Sequence, residues 1–395
     1  MARFAGGNAP YLRIADQKGK NTNTIMRDFI IALIPVILFA WYKNGILVFI
    51  DGNTDFLGML YPLFYIFVGG ISSILMEAIF YYITDSELRK IKPLFSKLST
   101  SYSVIPGLLI ALMSPMYTPI WVLMFGVFFG NIIAKMLFGG FGKNIFNPAL
   151  LGYAVIKFGF MGAITAAGGY FNASEILVDA YAGATPLVTL SGSNLTYASV
   201  VAPYGNLWDF FVGMTPGGLG ETSVLVMLFS YLWLSFRKVI KWSTPLIYVG
   251  AFFLLSWIVG ALNGEPGIWF PLYAIFSGGL VYGAVFMATE PVTTPSNPIG
   301  KIYFALMLAV LTVLFRYVGN LPEGVATSIL LMNIFTLPID KYTGIIRANR
   351  WKKPVWGKIA TLVVILIAIG FYAVVKAGSV YTTIILPIIR ISGVI

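Results

Sequence analysis

The 395-residue chain contains no cysteine and no histidine. Without cysteine it forms no disulfide, ligates no iron–sulfur cluster and offers no thiolate to a metal. Without histidine it lacks the usual haem and zinc ligand. Electrons passing through this chain would have to reside on organic groups, and a flavin or a quinone would each satisfy that exclusion. Charge is scarce too: charged residues make up 10% of the sequence and hydrophobic residues 58%, with a mean hydropathy of +0.85. Such a composition cannot clothe a soluble domain. Only helices and closed barrels satisfy their backbones in a bilayer, and long apolar runs without alternation indicate helices. The expected class is an all-α polytopic membrane protein.

A third absence is local. No Lys or Arg occurs between Lys157 and Arg237, whereas Glu175, Asp179, Asp209 and Glu221 do. The formal net charge of +11 is concentrated elsewhere: Arg3 to Arg27, Arg89 to Lys97, Arg237 to Lys241, and Lys341 to Lys358. In a membrane protein this pattern reports topology and not a nucleic-acid partner, because basic residues stay on the cytoplasmic side. The expectation is a cytoplasmic amino terminus and an outward-facing segment after Lys157. Met1 to Asn23 lacks an apolar core followed by a cleavage site, so it reads as no removable signal peptide.

Apolar runs predict spans at about 24–42, 57–83, 120–137, 148–160, 222–235, 245–262, 271–288, 302–318, 325–339 and 359–375, with a short piece, Tyr102 to Met116, broken by Pro106 and Pro115. Counting gives ten or eleven crossings. The corresponding organisation is a cytoplasmic segment 1–23, a first bundle 24–161, an outer segment 162–221, a second bundle 222–376 and a tail 377–395. Asn147-Pro148 and Asn297-Pro298 open similar stretches. One reading is a duplicated half-unit; the other is that Asn-Pro simply starts helices.

Within the outer segment lies Val178 to Leu187, polar and small-residue-rich, with Gly183 and Ala184 leaving the Thr185 hydroxyl accessible six residues after Asp179. A Thr hydroxyl needs an outside base or metal to react, so any group on Thr185 would be installed by another protein. The alternative is a loop in which Thr185 caps the next segment. A second stretch, Met214 to Ser223, is a glycine-rich turn opening an apolar helix. Its N–H groups suit an electron-rich ligand such as phosphate, or Thr222 or Ser223 caps the helix. Among carboxylates, Glu77 sits deep in an apolar run and Asp340 ends another beside Lys341; ionisable groups at such depth mark pathways or pairs. Asp28 and Glu290 lie near expected inner boundaries.

The Asp179, Gly183, Ala184, Thr185 pattern resembles the flavinylation motif of the RnfD/NqrB family of integral-membrane subunits, with Thr185 at the modified position and Ala182 in place of the usual hydroxyl residue. Thr24 to Arg27, Pro216 to Ser223, Met287 to Thr293, and Glu323 to Ala326 leading to Asp340 extend the resemblance along the chain. It implies two related helical bundles, similar to urea transporters. It also implies FMN held by a phosphoester to Thr185, with Asp179, Gly183 and Ala184 forming the attachment segment and Gly217, Gly218, Gly220, Glu221 and Thr222 walling the pocket. A second flavin such as riboflavin is compatible with it. Glu77 and Asp340 then fall at carboxylates linked with sodium uptake.

The implied function is a flavin-bearing electron-transfer subunit of a redox-driven Na⁺ or H⁺ pump, an Rnf-type ferredoxin:NAD oxidoreductase, in a bacterial or archaeal membrane, with no catalytic residue of its own. Its partners would be membrane and iron–sulfur subunits, a second flavinylated subunit and a flavin transferase. The alternatives are an NqrB-like subunit using quinone, or a secondary transporter or channel for a small solute.

Overall fold

The computed structural model describes residues 22–168, 195–319, 324–348 and 353–391, and every regular element among them is helical. Six helices are long and apolar enough to cross a bilayer: Thr22–Ile50, Phe56–Thr84, Ser243–Leu262, Pro298–Val318, Gly324–Ile346 and Ile359–Ala377. Two bent pairs, Ile91–Ser101 with Val104–Met113 and Trp269–Phe276 with Leu280–Met287, raise the number to as many as eight. Three shorter apolar helices, Ile120–Met136, Pro148–Gly159 and Val224–Phe236, pack among them. The chain is a multi-pass membrane protein; among the described residues six to eight elements are long and apolar enough to cross, and the expected ten or eleven is reached only by counting the three shorter helices as well.

The Phe56–Thr84 helix shows how such a segment is specified. Asp55 starts it by accepting the Gly58 N–H at 2.7 Å. Phe64, Phe67, Ile71, Leu75 and Ile79 then recur every three or four residues and stay exposed, forming a stripe suited to lipid. The opposite face buries Tyr65, Gly69, Ser73 and Glu77. There the backbone meets that of Val104–Met113 directly, since a Cβ on Gly69 would lie 2.7 Å from the Gly107 carbonyl oxygen. Without a hydrophobic drive between helices in lipid, close backbone approach through small residues supplies the packing.

The bends have identifiable causes. The first pair turns by 51° at Tyr102, whose φ of 52° is left-handed. The prolines do not make this bend: Pro106 sits in the first turn of Val104–Met113, where no intrahelical N–H is missed, and Pro115 lies past its end. The second pair turns by 65°, with Gly278 at φ 68° between its halves. The expected straight span 271–288 is therefore two half-helices. Glycine in an apolar run fits close packing as well as a break, and so did not announce this one.

Four π-helical turns interrupt the described helices at Tyr42–Ile46, Phe129–Met136, Gly283–Met287 and Leu314–Val318. Three carry a buried basic residue: Lys43, Lys135 and Arg316. Lys135 and Arg316 play matching parts, because each donates to a carbonyl near the end of the half-helix before a bend, Ser101 O at 2.8 Å and Ala274 O at 2.5 Å. A helix C-terminus leaves such carbonyls unpaired and attracts positive charge. The two bent pairs and the helices that follow them thus share this one arrangement.

The Asn-Pro pieces do not occupy matching places in that relation. Asn147 caps the helix after the Lys135 turn, whereas Asn297 caps the helix that itself carries Arg316. Both instead lean on one helix: the Asn147 N–H donates to Asn333 Oδ1 at 2.9 Å and the Asn297 N–H to Asp340 Oδ1 at 3.1 Å. The bundles also interlock. Ser230 Oγ donates to the Ala32 carbonyl at 2.8 Å, and Arg237 pairs with Asp28. The expected tail boundary at 377 is no break, since one helix runs from Lys353 to Ile391.

Candidate functional site

Glu77 is fully buried, and Lys135, at 2% exposure, places Nζ 2.9 Å from its Oε2. Ser101 Oγ donates to Glu77 Oε1. Asn131 Nδ2 bonds the Ser73 carbonyl at 2.8 Å and approaches Glu77 Oε2 at 3.4 Å. Three segments thus converge on one carboxylate. An ion pair removed from water persists only where further hydrogen bonds fill its remaining valences, and here they do. Lys135 also borders a cavity of about 70 Å³, together with Asn144, Asn147 and Glu290. That volume is enough for a few waters.

Glu290 lines the same cavity. Its Oε1 accepts from Asn144 Nδ2 at 3.1 Å and its Oε2 from Thr293 Oγ1. Removal from water pushes its carboxyl up to about 7, against the opposing pull of these two donors and of the Lys135 ammonium. A second cavity, about 260 Å³, shares Asn144 and Val292 with the first and reaches Lys143, Asn333 and Thr336. Lys135, Asn144 and Glu290 thus line one mostly apolar cavity, with Glu77 behind Lys135.

Asp340 is placed differently. Its oxygens accept the Ser296 N–H at 3.0 Å, the Ser296 hydroxyl at 3.0 Å and the Asn297 N–H at 3.1 Å. It anchors the start of Pro298–Val318, where an anion complements the helix dipole. Asp28 forms a two-pronged pair with Arg237, at 2.9 and 3.3 Å.

The glycine-rich turn faces inward. Gly217 through Ser223 are buried, and the N–H groups of Gly218, Leu219 and Gly220 are engaged within the protein. Gly218 N–H donates to Glu221 Oε1 at 3.1 Å, Leu219 N–H to Ser114 O at 3.1 Å, and Gly220 N–H to Leu112 O at 2.7 Å. The last two satisfy carbonyls at the end of Val104–Met113. Ser223 caps the next helix by accepting Val226 N–H at 3.3 Å. The expectation that Gly218 and Gly220 present free donors to a phosphate is corrected accordingly. Glu221 and Thr222 turn toward Lys43, whose Nζ donates to Thr215 O at 2.5 Å and Thr222 Oγ1 at 3.1 Å.

Lys43 and Lys135 escaped the sequence reading because each lies near the end of an apolar run, where a lysine ordinarily extends to the interface. Thr185, Asp179, Gly183 and Ala184 lie outside the described residues.

Residues 9–347 match the NQR2, RnfD, RnfE family. The chain is 33% identical over 346 residues to the D subunit of the proton-translocating ferredoxin:NAD(+) oxidoreductase complex of Clostridium ljungdahlii, covering 86% of this chain and 94% of that protein. It is 32% identical over 325 residues to the Na(+)-translocating counterpart of Acetobacterium woodii, covering 82% and 89%. Over 243 residues it is 35% identical to the B subunit of the Na(+)-translocating NADH-quinone reductase of Chromohalobacter salexigens, covering 60% and 57%. With a match spanning most of its length and relatives aligned nearly end to end, the chain belongs to the NQR2, RnfD, RnfE family of membrane subunits of ion-translocating oxidoreductase complexes.

Proposed function

We propose that this chain is the covalently flavinylated electron-transfer subunit of an Rnf-type, redox-driven Na⁺ or H⁺ pump, with Glu77 and Lys135 on the ion path. The observation that carries the reading is the Glu77–Lys135 pair, buried between the Phe56–Thr84 helix with its lipid-facing stripe and the Phe129–Met136 turn, with Lys135 bordering a cavity. Membrane-buried charge at this depth is costly and is kept where ions or protons move. The fuller coverage of the ferredoxin:NAD(+) oxidoreductase relatives favours the Rnf-type assembly over the NADH-quinone reductase type. Purified complex carrying Glu77→Gln should lose most ion-coupled turnover while retaining its flavin. Unchanged turnover at limiting sodium and across pH would remove Glu77 from the path.

The flavin belongs to the same proposal. Once attached, it would supply the electron-carrying chemistry that a chain without cysteine or histidine lacks. The chain's own part is to present Thr185 to a flavin transferase, with Asp179 upstream for recognition and Gly183 and Ala184 keeping the hydroxyl clear. The buried turn at Gly217 to Thr222 contributes by holding the end of Val104–Met113 in place. Protein produced with a transferase should show a fluorescent band on a denaturing gel and a mass raised by one FMN less water. Thr185→Val should abolish both. A dark wild-type band, or a fluorescent Thr185→Val band, would defeat this assignment and favour the transporter reading. A noncovalent flavin such as riboflavin would appear as free pigment released on denaturation.

The charge distribution supports a cytoplasmic amino terminus and an outer Thr185. Ser191→Cys should react with a membrane-impermeant reagent from outside. Labelling only from the cytoplasmic side would reverse the orientation.

A further inference from the structure

Trp41 Nε1 donates to the Met59 carbonyl at 3.0 Å, which brings the Lys43 turn to the start of the Phe56–Thr84 helix. Glu77 lies five turns further along that helix, about 27 Å away at its rise per residue. The first bundle therefore holds two buried ammonium groups, separated by nearly the thickness of a hydrocarbon core. Both sit on π-helical turns and both are held by oxygen. Lys135 meets a carboxylate and a backbone carbonyl, Glu77 Oε2 and Ser101 O. Lys43 meets the Thr215 carbonyl and the Thr222 hydroxyl, with the Glu221 carboxylate acting on it electrostatically. Lys43, Thr215, Glu221 and Thr222 are each at most 5% exposed.

Two further oxygens in this region have no hydrogen-bond partner. Asn44 follows Lys43 in the same turn; its Nδ2 reaches the Leu219 carbonyl at 3.4 Å, while its buried Oδ1 is unpaired. The buried Tyr282 hydroxyl is also unpaired and interacts electrostatically with Glu221. Orphaned buried oxygens call for a water or an ion. A set made of carbonyl, hydroxyl and carboxylate oxygens, with no nitrogen or sulfur, suits a hard cation. One carboxylate balances one positive charge, so the Lys43 ammonium and a bound monovalent cation are alternative occupants.

We propose that Thr215, Glu221 and Thr222, with Asn44 and Tyr282, form a monovalent-cation site at the end of the first bundle opposite Glu77, filled in this state by the Lys43 ammonium. A cation takes the site when that ammonium withdraws, and the lysine returns when the cation leaves. The π-helical turn is the element that moves, since such turns mark a local register that helices can shift. The site needs neither flavin nor partner subunits, so its failure would leave the proposed function standing.

The test is thermal unfolding of the purified chain in NaCl and in choline chloride at equal ionic strength, with Glu77→Gln in every sample to silence the other end. Lys43→Met should show a saturable stabilisation by Na⁺ alone, with an apparent affinity at least about tenfold tighter than with Lys43 present, since binding to the folded state raises its stability by mass action. Adding Glu221→Gln should abolish the response. If Lys43→Met or Lys43→Gln folds only when NaCl is present, the proposal is equally supported. An identical response to both salts, a response that survives Glu221→Gln, or failure to fold in both salts would overturn it and leave Lys43 as a structural counter-ion.

Discussion

Glu77 and Asp340 are both carboxylates at the end or in the middle of apolar runs, yet the fold gives them opposite surroundings. Glu77 has lost all contact with solvent and faces an ammonium, a hydroxyl and an amide contributed by other segments. Asp340 is partly exposed and spends its oxygens on the backbone and hydroxyl that open the next helix. A charge neutralised by a side chain can exchange that partner for an ion or a proton. A charge bonded to fixed N–H groups is tied to the architecture. The difference teaches that depth in an apolar run is a weaker guide to ion handling than the kind of group placed opposite.

The comparison breaks most visibly at Lys135. Lys135→Met leaves Glu77 buried without its cation, which should cost about 3–5 kcal/mol of stability. Adding Glu77→Gln to that variant should recover most of the loss, and denaturant titration of the purified protein would measure both. If Lys135→Met is neutral, the Glu77–Lys135 pair does not hold the fold together.

Asp340→Ala should cost less, about 1 kcal/mol, the usual value of a helix-start anion or cap. Turnover under Asp340→Asn should fall less than under Glu77→Gln, because Asn still accepts from Ser296 and Asn297. A larger loss of turnover than at Glu77 would reverse the ranking of the two residues.

Glu290 sharpens the comparison through pH. Its carboxyl is raised in the folded state from 4.5 to about 7, so the folded chain holds this proton more tightly than the unfolded one. The stabilising contribution is complete below about pH 4.5 and is lost as pH rises through about 7. Glu290→Gln mimics the protonated form and should flatten the decline in thermal midpoint across that window. Equal slopes for wild type and variant would assign the pH dependence to another group.

Much of the architecture was legible because it depends on composition. The helical class, the membrane location and most spans follow from how much apolar sequence a bilayer requires, and Asp55, Asn147 and Asn297 start helices as side chains of their type do. Glu77 stood out for the same reason, being a charge where water is absent. That the piece from Tyr102 to Met116 belongs to a broken element was legible, but the place of its bend at Tyr102 and the bend at Gly278 were not, since a left-handed residue is set by the helices on either side of it. Nor was the burial of the glycine-rich turn, whose donors are consumed by carbonyls about a hundred residues earlier in the chain.

By itself the sequence determined that this chain lives in a membrane as helices, that it has no thiol or imidazole chemistry, and that Glu77 must have a reason to be where it is. Tertiary structure alone decided what that reason is. Lys135 is 58 residues from Glu77 along the chain, and Lys43 is 179 from Thr222. Local pattern carries no information about pairs so distant. The partner of a buried charge is chosen by which helices cross and where their small residues let the backbones meet, as Gly69 and Gly107 do.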